Sequence, residues 1–232
     1  LFSILIEIMK RSAINRLIED AKALLHQHHI QLPPFAYWSP AEWKTKGPEC
    51  DEIRQCHLGW DITDFGSGKF AEIGLTVFTL RNGHRAVKAY SDKTYCEKIL
   101  IVRENQRTPM HYHAFKMEDI ICKCGGNLVC QVYNRDKDGK LPDTDVEVSL
   151  DGIRHRVKAG AKLVLKPGES VTLPPFVNHE FWAEAGTGIS VVGEVSKTND
   201  DATDNFFLTA PGRFPKIEED VSPVHLLCME YL

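Results

Sequence analysis

The stretch TPMHYHAFKMEDIICKCGG, residues 108–126, holds His111 and His113 one residue apart, with Glu118 and Gly125 following. Residues two apart on a β-strand share a face, with about 6.6 Å between their Cα atoms, so the two imidazoles are expected to converge. Glu118 lies too far along the chain to stay in register, and a turn over 114–117 would return its carboxylate to the same place. A second segment, PGESVTLPPFVNHEFWAEAG, ends a strand with Pro174 and Pro175 and then presents His179. Proline fixes its own backbone angle, so a ligand that follows it is positioned at low entropic cost. Three neutral imidazoles and one carboxylate form a donor set for a divalent transition metal such as Mn²⁺, Fe²⁺, Co²⁺, Ni²⁺ or Zn²⁺. On a six-coordinate ion these four side chains would leave two adjacent positions open, which suits a substrate with neighbouring oxygens.

Such a cluster needs a rigid frame, and the hydrophobic pattern supplies a β one. From about residue 59 the period changes from 3.6 to 2, with strands expected at 75–80, 98–103, 127–134, 146–150, 153–157, 162–165, 170–173 and 189–195. Asp151-Gly152 between two of these runs is a two-residue hairpin signal. Many short strands separated by Gly, Pro, Asn and Asp point to a sandwich or barrel. Upstream, residues 12–29 place Ile14, Leu17, Ile18, Ala21, Leu24 and Leu25 at helical spacing, with Ser12 as the expected N-cap. Ser39, Pro40 and Glu42 form a capping-box start for a second, short helix. The expected organisation is therefore a helical segment over 9–58 packed outside a β-barrel over 59–232, the two forming a single domain.

The bulk numbers narrow the function classes. The 232 residues carry 28 basic and 32 acidic side chains, a net charge of −4, and no basic run, so nucleic acid has no electrostatic support as a partner. LFSILIEI at the start is too short to span a bilayer and lacks the flank of a signal peptide; residues 1–8 read as a leader and Met9 as a natural start. Seven cysteines without framework spacing indicate reduced thiols and a cytoplasmic protein. Cys122 and Cys124 read as apolar strand residues rather than a thiolate metal site.

The spacing also resembles a known family. GX5HXHX4EX6G and GX5PXGX2HX3N are the two cupin motifs; His111, His113, Glu118 and Gly125 fit the first, and Gly168, Pro174 and His179 the second. Asn105 stands where the first motif opens with glycine, and Phe176 and Ala183 replace the glycine and asparagine of the second. None of the four ligand positions is touched. More closely, MKRSAIN, LPPFA, LGWDITDFG, LTVFTLRNG, EKILIVRENQRTPMHYH, GGNLVCQVYN, FWAEAGTG and VGEVSKTNDDATDN resemble the D-lyxose isomerases of enteric bacteria, from about Met9 to Tyr231. The resemblance implies a cupin double-stranded β-helix (jelly-roll) barrel and a Mn²⁺-dependent aldose–ketose isomerase, with Co²⁺ as a possible substitute. It implies action on D-lyxose and D-xylulose, and on D-mannose and D-fructose, with the metal held by His111, His113, Glu118 and His179. It also places Lys98 near the substrate.

Isomerisation moves one proton between carbons 1 and 2, so a base must stand beside the carbon. Glu194, on a late strand, is the first candidate, against an exposed strand glutamate. Lys98, among apolar neighbours, would bond a sugar oxygen or else guard a sheet edge. Lys116, Arg213 and Trp182 are candidate substrate contacts, each with a bland alternative as a loop lysine, a surface arginine or a barrel-wall aromatic. Asp200, Asp201 and Asp204 would cap the barrel mouth or simply be solvated. The rival functions are an Fe²⁺ cupin dioxygenase, a phosphosugar isomerase, for which no basic cluster stands near the motifs, and a sugar-binding or storage cupin. A homodimer is the expected assembly.

Overall fold

The computed structural model describes residues 8–209 and 216–231. The chain opens with β1 (Met9–Lys10) and α1 (Arg11–Gln27), then the short helices α2 (Pro40–Trp43) and α3 (Asp51–Gln55). After these come β2 (Gly59–Thr63), β3 (Leu75–Arg81), β4 (Tyr95–Val102), β5 (Thr108–Tyr112), β6 (Glu118–Gly125) and β7 (Leu128–Tyr133). The second half adds β8 (Val146–Leu150), β9 (Ile153–Val157), β10 (Ala161–Leu165), β11 (Ser170–Leu173), β12 (Asn178–Ala183), β13 (Ser190–Lys197), β14 (Phe206–Phe207) and β15 (Ile217–Glu218).

One eight-stranded sheet runs β2-β3-β4-β13-β6-β11-β8-β9 and a five-stranded sheet runs β10-β7-β12-β5-β14. Strands in both pair antiparallel, and residues of both sheets share one core that includes Leu100, Val192, Ile120, Val132, Leu163 and Phe181. This is the jelly-roll barrel that the motifs imply. Alternation decides what faces inward. On β4, Leu100 and Val102 enter the barrel core while Ile99 and Ile101 pack outward against Ile14, Ile18 and Leu25 of α1. Each such side chain removed from water contributes about 1.5–3 kcal/mol, so the helix is held chiefly by its apolar stripe. Lys98 shares the parity of Leu100, and Glu194 that of Val192; both therefore point into the barrel.

Local signals were met with one exception. Asp151 and Gly152 both adopt positive φ, 48° and 82°, the geometry of a tight hairpin between β8 and β9. Ser39 and Glu42 form the reciprocal capping box at α2. Ser12, however, is not the N-cap of α1: the helix begins at Arg11, and Lys10 stands in the cap position without a side-chain bond. The Ser12 N–H and hydroxyl instead donate to the Asp220 carboxylate at 2.9 and 2.6 Å. The missing cap is thus supplied by a distant segment, which no local spacing encodes. Among the described residues, no helix is long and apolar enough to cross a membrane.

Candidate active site

His111 and Glu118 sit at the barrel mouth on facing sheets, from β5 and β6; His179 comes from β12, and His113 follows the end of β5. Their donor atoms all lie within 4.8 Å of one another, and all four residues are buried. For metal–ligand bonds of about 2.1 Å, octahedral neighbours stand about 3.0 Å apart and opposite ligands about 4.2 Å, so the cluster is of the right size.

The second nitrogen of each ring explains what the first is for. His111 Nδ1 donates to the Pro109 carbonyl at 2.8 Å, His113 Nδ1 to that of Asp204 at 2.6 Å, and His179 Nδ1 to that of Val177 at 3.0 Å. With the proton on Nδ1, every Nε2 turns a lone pair toward the centre. Nε2 of His113 and of His179 are buried and make no hydrogen bond. Glu118 Oε1 lies 2.9 Å from His179 Nε2, so two acceptors face each other, a repulsive arrangement that a cation between them would reverse. Burial, reinforced by the neighbouring His179 and His113, holds the His111 pKa well below its ordinary value and keeps the ring neutral. The residues present fit a divalent cation.

Beside this cluster runs an ion network. Lys116 Nζ bridges Glu118 Oε2 at 2.7 Å and Glu194 Oε1 at 2.8 Å; Lys98 Nζ lies 3.2 Å from Glu194 Oε1. Asn199 Oδ1 accepts from both ammonium groups, at 2.8 Å from Lys98 and 3.3 Å from Lys116. Burial opposes the charge on Glu194, yet Lys116 and Lys98 outweigh it and hold its carboxyl below the usual range. Burial likewise opposes ionisation of Glu118, and the Lys116 ammonium more than offsets that, leaving its carboxyl well below the usual range. Lys116 is raised despite its burial, because two carboxylates face it. Within this network two cations therefore balance two anions.

Segment 198–209 crosses the mouth as a strap. The Asp204 carboxylate accepts from the backbone N–H groups of Ala114, Phe115 and Lys116 at 2.8–2.9 Å. A cavity of about 40 Å³ lies against Glu118, His111 and Glu194, and one of about 480 Å³ lies beyond it, between the strap and the loop after β3. Asp201 lines both.

Of the residues singled out in the sequence, His111, His113, Glu118, His179, Lys98, Lys116 and Glu194 come together here. Trp182 does not. It alternates with His179 and Phe181 on β12, so its ring faces the other side of the sheet, where the Arg107 guanidinium stacks on it at 3.5 Å from the ring centre. Arg213 lies outside the described residues. Asn199 and Asp204 went unassigned or undecided in the sequence, because both act from the strap at long range.

The motif departures keep the motif geometry. Asn105 and Phe176, standing where glycines are expected, adopt φ of 58° and 67°, alongside 83° at Gly125 and 102° at Gly168. At Gly125 a side chain is further excluded because a Cβ would fall 2.2 Å from the Ile189 carbonyl oxygen.

The family model of D-lyxose isomerase matches residues 9–231. The chain is 48% identical over 224 residues to the D-lyxose/D-mannose isomerase of Escherichia coli O157:H7, covering 96% of this chain and 98% of that one. It is also 48% identical over 225 residues to the enzyme of the same name from Serratia proteamaculans, covering 97% and 98%. Among solved structures, the L-ribose isomerase of Acinetobacter sp. DL28 in complex with L-ribose aligns over 91% of this chain and 99% of that one, with a TM-score of 0.60 at 15% identity. That likeness bears on the fold, a cupin-like barrel, and the sequence relatives bear on the chemistry. The chain is a sugar isomerase and belongs to the D-lyxose isomerase family.

Proposed function

We propose that this protein is a divalent-metal-dependent aldose–ketose isomerase that interconverts D-lyxose with D-xylulose, and D-mannose with D-fructose. Mn²⁺ is the native ion in this reading, with Co²⁺ able to replace it, and His111, His113, Glu118 and His179 hold it. The observation that carries the proposal is the pairing of three inward Nε2 lone pairs with a second, ionised carboxylate, Glu194, in the same cavity. When bound, the cation supplies Lewis-acid polarisation of the carbonyl and offsets negative charge that develops on the sugar oxygens.

Glu194 takes the proton from carbon 2 of the aldose and returns it to carbon 1, while the proton of the carbon-2 hydroxyl passes to the carbonyl oxygen on carbon 1, so that the two shifts together give the ketose. A carboxylate kept ionised by two ammonium groups is always in the basic form at neutral pH, and its weak basicity is matched by an acidified carbon. Lys116 and Lys98 donate to sugar oxygens as Asn199 Oδ1 gives way, and Ser196 Oγ, 3.2 Å from Glu194 Oε1, orients the base. The inner cavity of about 40 Å³ admits only the reacting end of a sugar, so the distal carbons extend past Asp201 into the cavity of about 480 Å³. The site residues are proposed from the barrel domain, 59–232, with the 9–58 segment buttressing its outer sheet. All seven cysteines are free thiols, in keeping with a cytoplasmic protein, and a homodimer is the proposed assembly.

The test is incubation of Mn²⁺-loaded protein with D-lyxose in D₂O. Ketose formation with carbon-bound deuterium is expected, since a base that exchanges with solvent brings in label. Ketose without label would replace the proton route with a hydride shift. No ketose, with O₂ uptake on another substrate, would replace the isomerase with an oxygenase.

A further inference from the structure

The register of β5 against β12 contains an irregularity whose effect falls inside the cavity. His179 pairs with His111 and Phe181 with Thr108, so three steps on β5 oppose two on β12. Such a bulge re-aims side chains, and here it turns Thr108 to the same inward face as His111 despite the odd spacing. Pro109 lies within the bulge, where its lack of an N–H breaks no ladder bond, and its carbonyl is the acceptor for His111 Nδ1.

Thr108 is 4% exposed and lines the inner cavity. Its Oγ1 is buried and has no hydrogen-bond partner within the protein. A buried hydroxyl without a partner costs folding stability, and valine would fill the same volume without that cost. Depth in the barrel narrows what the hydroxyl is for. On β12 the Thr108 partner Phe181 lies one inward residue deeper than His179, and on β6 the Glu194 partner Ile120 lies one inward residue deeper than Glu118. Thr108 and Glu194 thus form the layer beneath the histidine–glutamate cluster, approaching from opposite sheets.

We propose that Thr108 is a substrate-binding residue whose hydroxyl donates to an oxygen at the reacting C1–C2 end of the open-chain sugar, where negative charge builds during proton transfer. This rests on the isomerase reading above. Because the contact is made at the end common to all aldoses, it serves pentoses and hexoses alike. Residues facing the larger cavity would instead distinguish them.

Thr108→Val tests this with two readouts of opposite sign. Without sugar the variant is expected to melt about 2–4 °C above wild type, since an unsatisfied hydroxyl has gone. With Mn²⁺ it is expected to lose about 10- to 100-fold in kcat/KM, equally for D-lyxose and D-mannose, while Mn²⁺ affinity measured by calorimetry stays within about threefold. Thr108→Ser, which keeps the hydroxyl, should recover most of the activity. A Thr108→Val variant with kcat/KM within about twofold of an active wild type would overturn the assignment alone. So would a lower melting temperature, which means the hydroxyl has a partner inside the protein, or a parallel fall in Mn²⁺ affinity, which means it serves the ion. A wild type inert toward every aldose would overturn the isomerase reading, and this assignment with it.

Discussion

The Asp204 carbonyl oxygen accepts from Nδ1 of His113 at 2.6 Å, although the two residues are 91 positions apart. The carboxylate of the same Asp204 accepts three consecutive backbone N–H groups, those of Ala114, Phe115 and Lys116. One residue of the strap therefore fixes both the tautomer of a cluster histidine and the turn that leads from it to Glu118. Removing the carboxylate leaves three N–H donors to find other partners, the one on Lys116 buried and the other two half-buried. Asp204→Ala is expected to lose about 10- to 100-fold in Mn²⁺ affinity and about 2–4 kcal/mol of stability. Calorimetric metal titration and urea unfolding measure the two separately. An unchanged affinity would mean that the turn holds its shape without the strap.

Glu194 lines the cavity beside Glu118 and does not belong to the four-residue cluster. Glu194→Gln keeps the shape and one acceptor oxygen for Lys116 while removing the base. The expected loss in kcat is about 10²- to 10⁴-fold, with Mn²⁺ affinity changed by less than about tenfold. Solvent deuterium should no longer enter the substrate pool. If kcat falls and exchange persists, another group carries the proton.

How much of this was legible in the sequence follows from chain distance. His111, His113 and Glu118 lie within one short stretch and His179 behind two prolines, so their spacing alone announced a metal cluster. The strands carrying Lys98 and Glu194 were readable from alternation, and alternation also decides that both point inward. Trp182 shows where a local argument failed: it follows His179 by three residues, an odd number, and an odd step on a strand reverses the face. Asn199 and Asp204 belong to a segment without hydrophobic period, and their partners are set by tertiary approach. Thr108 was hidden by a bulge, which breaks the parity rule that served elsewhere.

Acid should weaken the metal-free protein in a predictable window. His111 is held neutral by burial and by its histidine neighbours, so its folded pKa lies well below the unfolded value of about 6.5. Below that value the unfolded chain binds more protons than the folded one, and stability falls with pH by about 1 kcal/mol per unit until the folded pKa is reached. Glu194 and Glu118, with lowered pKa values, stabilise the fold above about pH 4.3 and lose that contribution only as pH falls further. Between about pH 6.5 and 5 the slope therefore belongs to the imidazole. Melting curves of metal-free protein across this range should decline for wild type and decline less for His111→Asn. Equal slopes would remove His111 as the origin.

Phe176 occupies a glycine position of the motif with φ of 67°, a left-handed conformation that costs a residue with a Cβ about 1–2 kcal/mol. Its ring is about half exposed and stacks on Tyr112 at 6.1 Å, which in turn stacks on Phe206 at 4.8 Å. The aromatic contact returns about 0.5–1.5 kcal/mol, so strain and stacking nearly offset each other. Replacing Phe176 by alanine removes the contact and keeps the strain, whereas glycine removes both. Phe176→Gly is therefore expected to lie within about 1 kcal/mol of wild type, and Phe176→Ala about 1 kcal/mol below Phe176→Gly. Urea unfolding of the two variants gives the order directly. Alanine proving the more stable would mean that position 176 relaxes out of the left-handed region once the ring is gone.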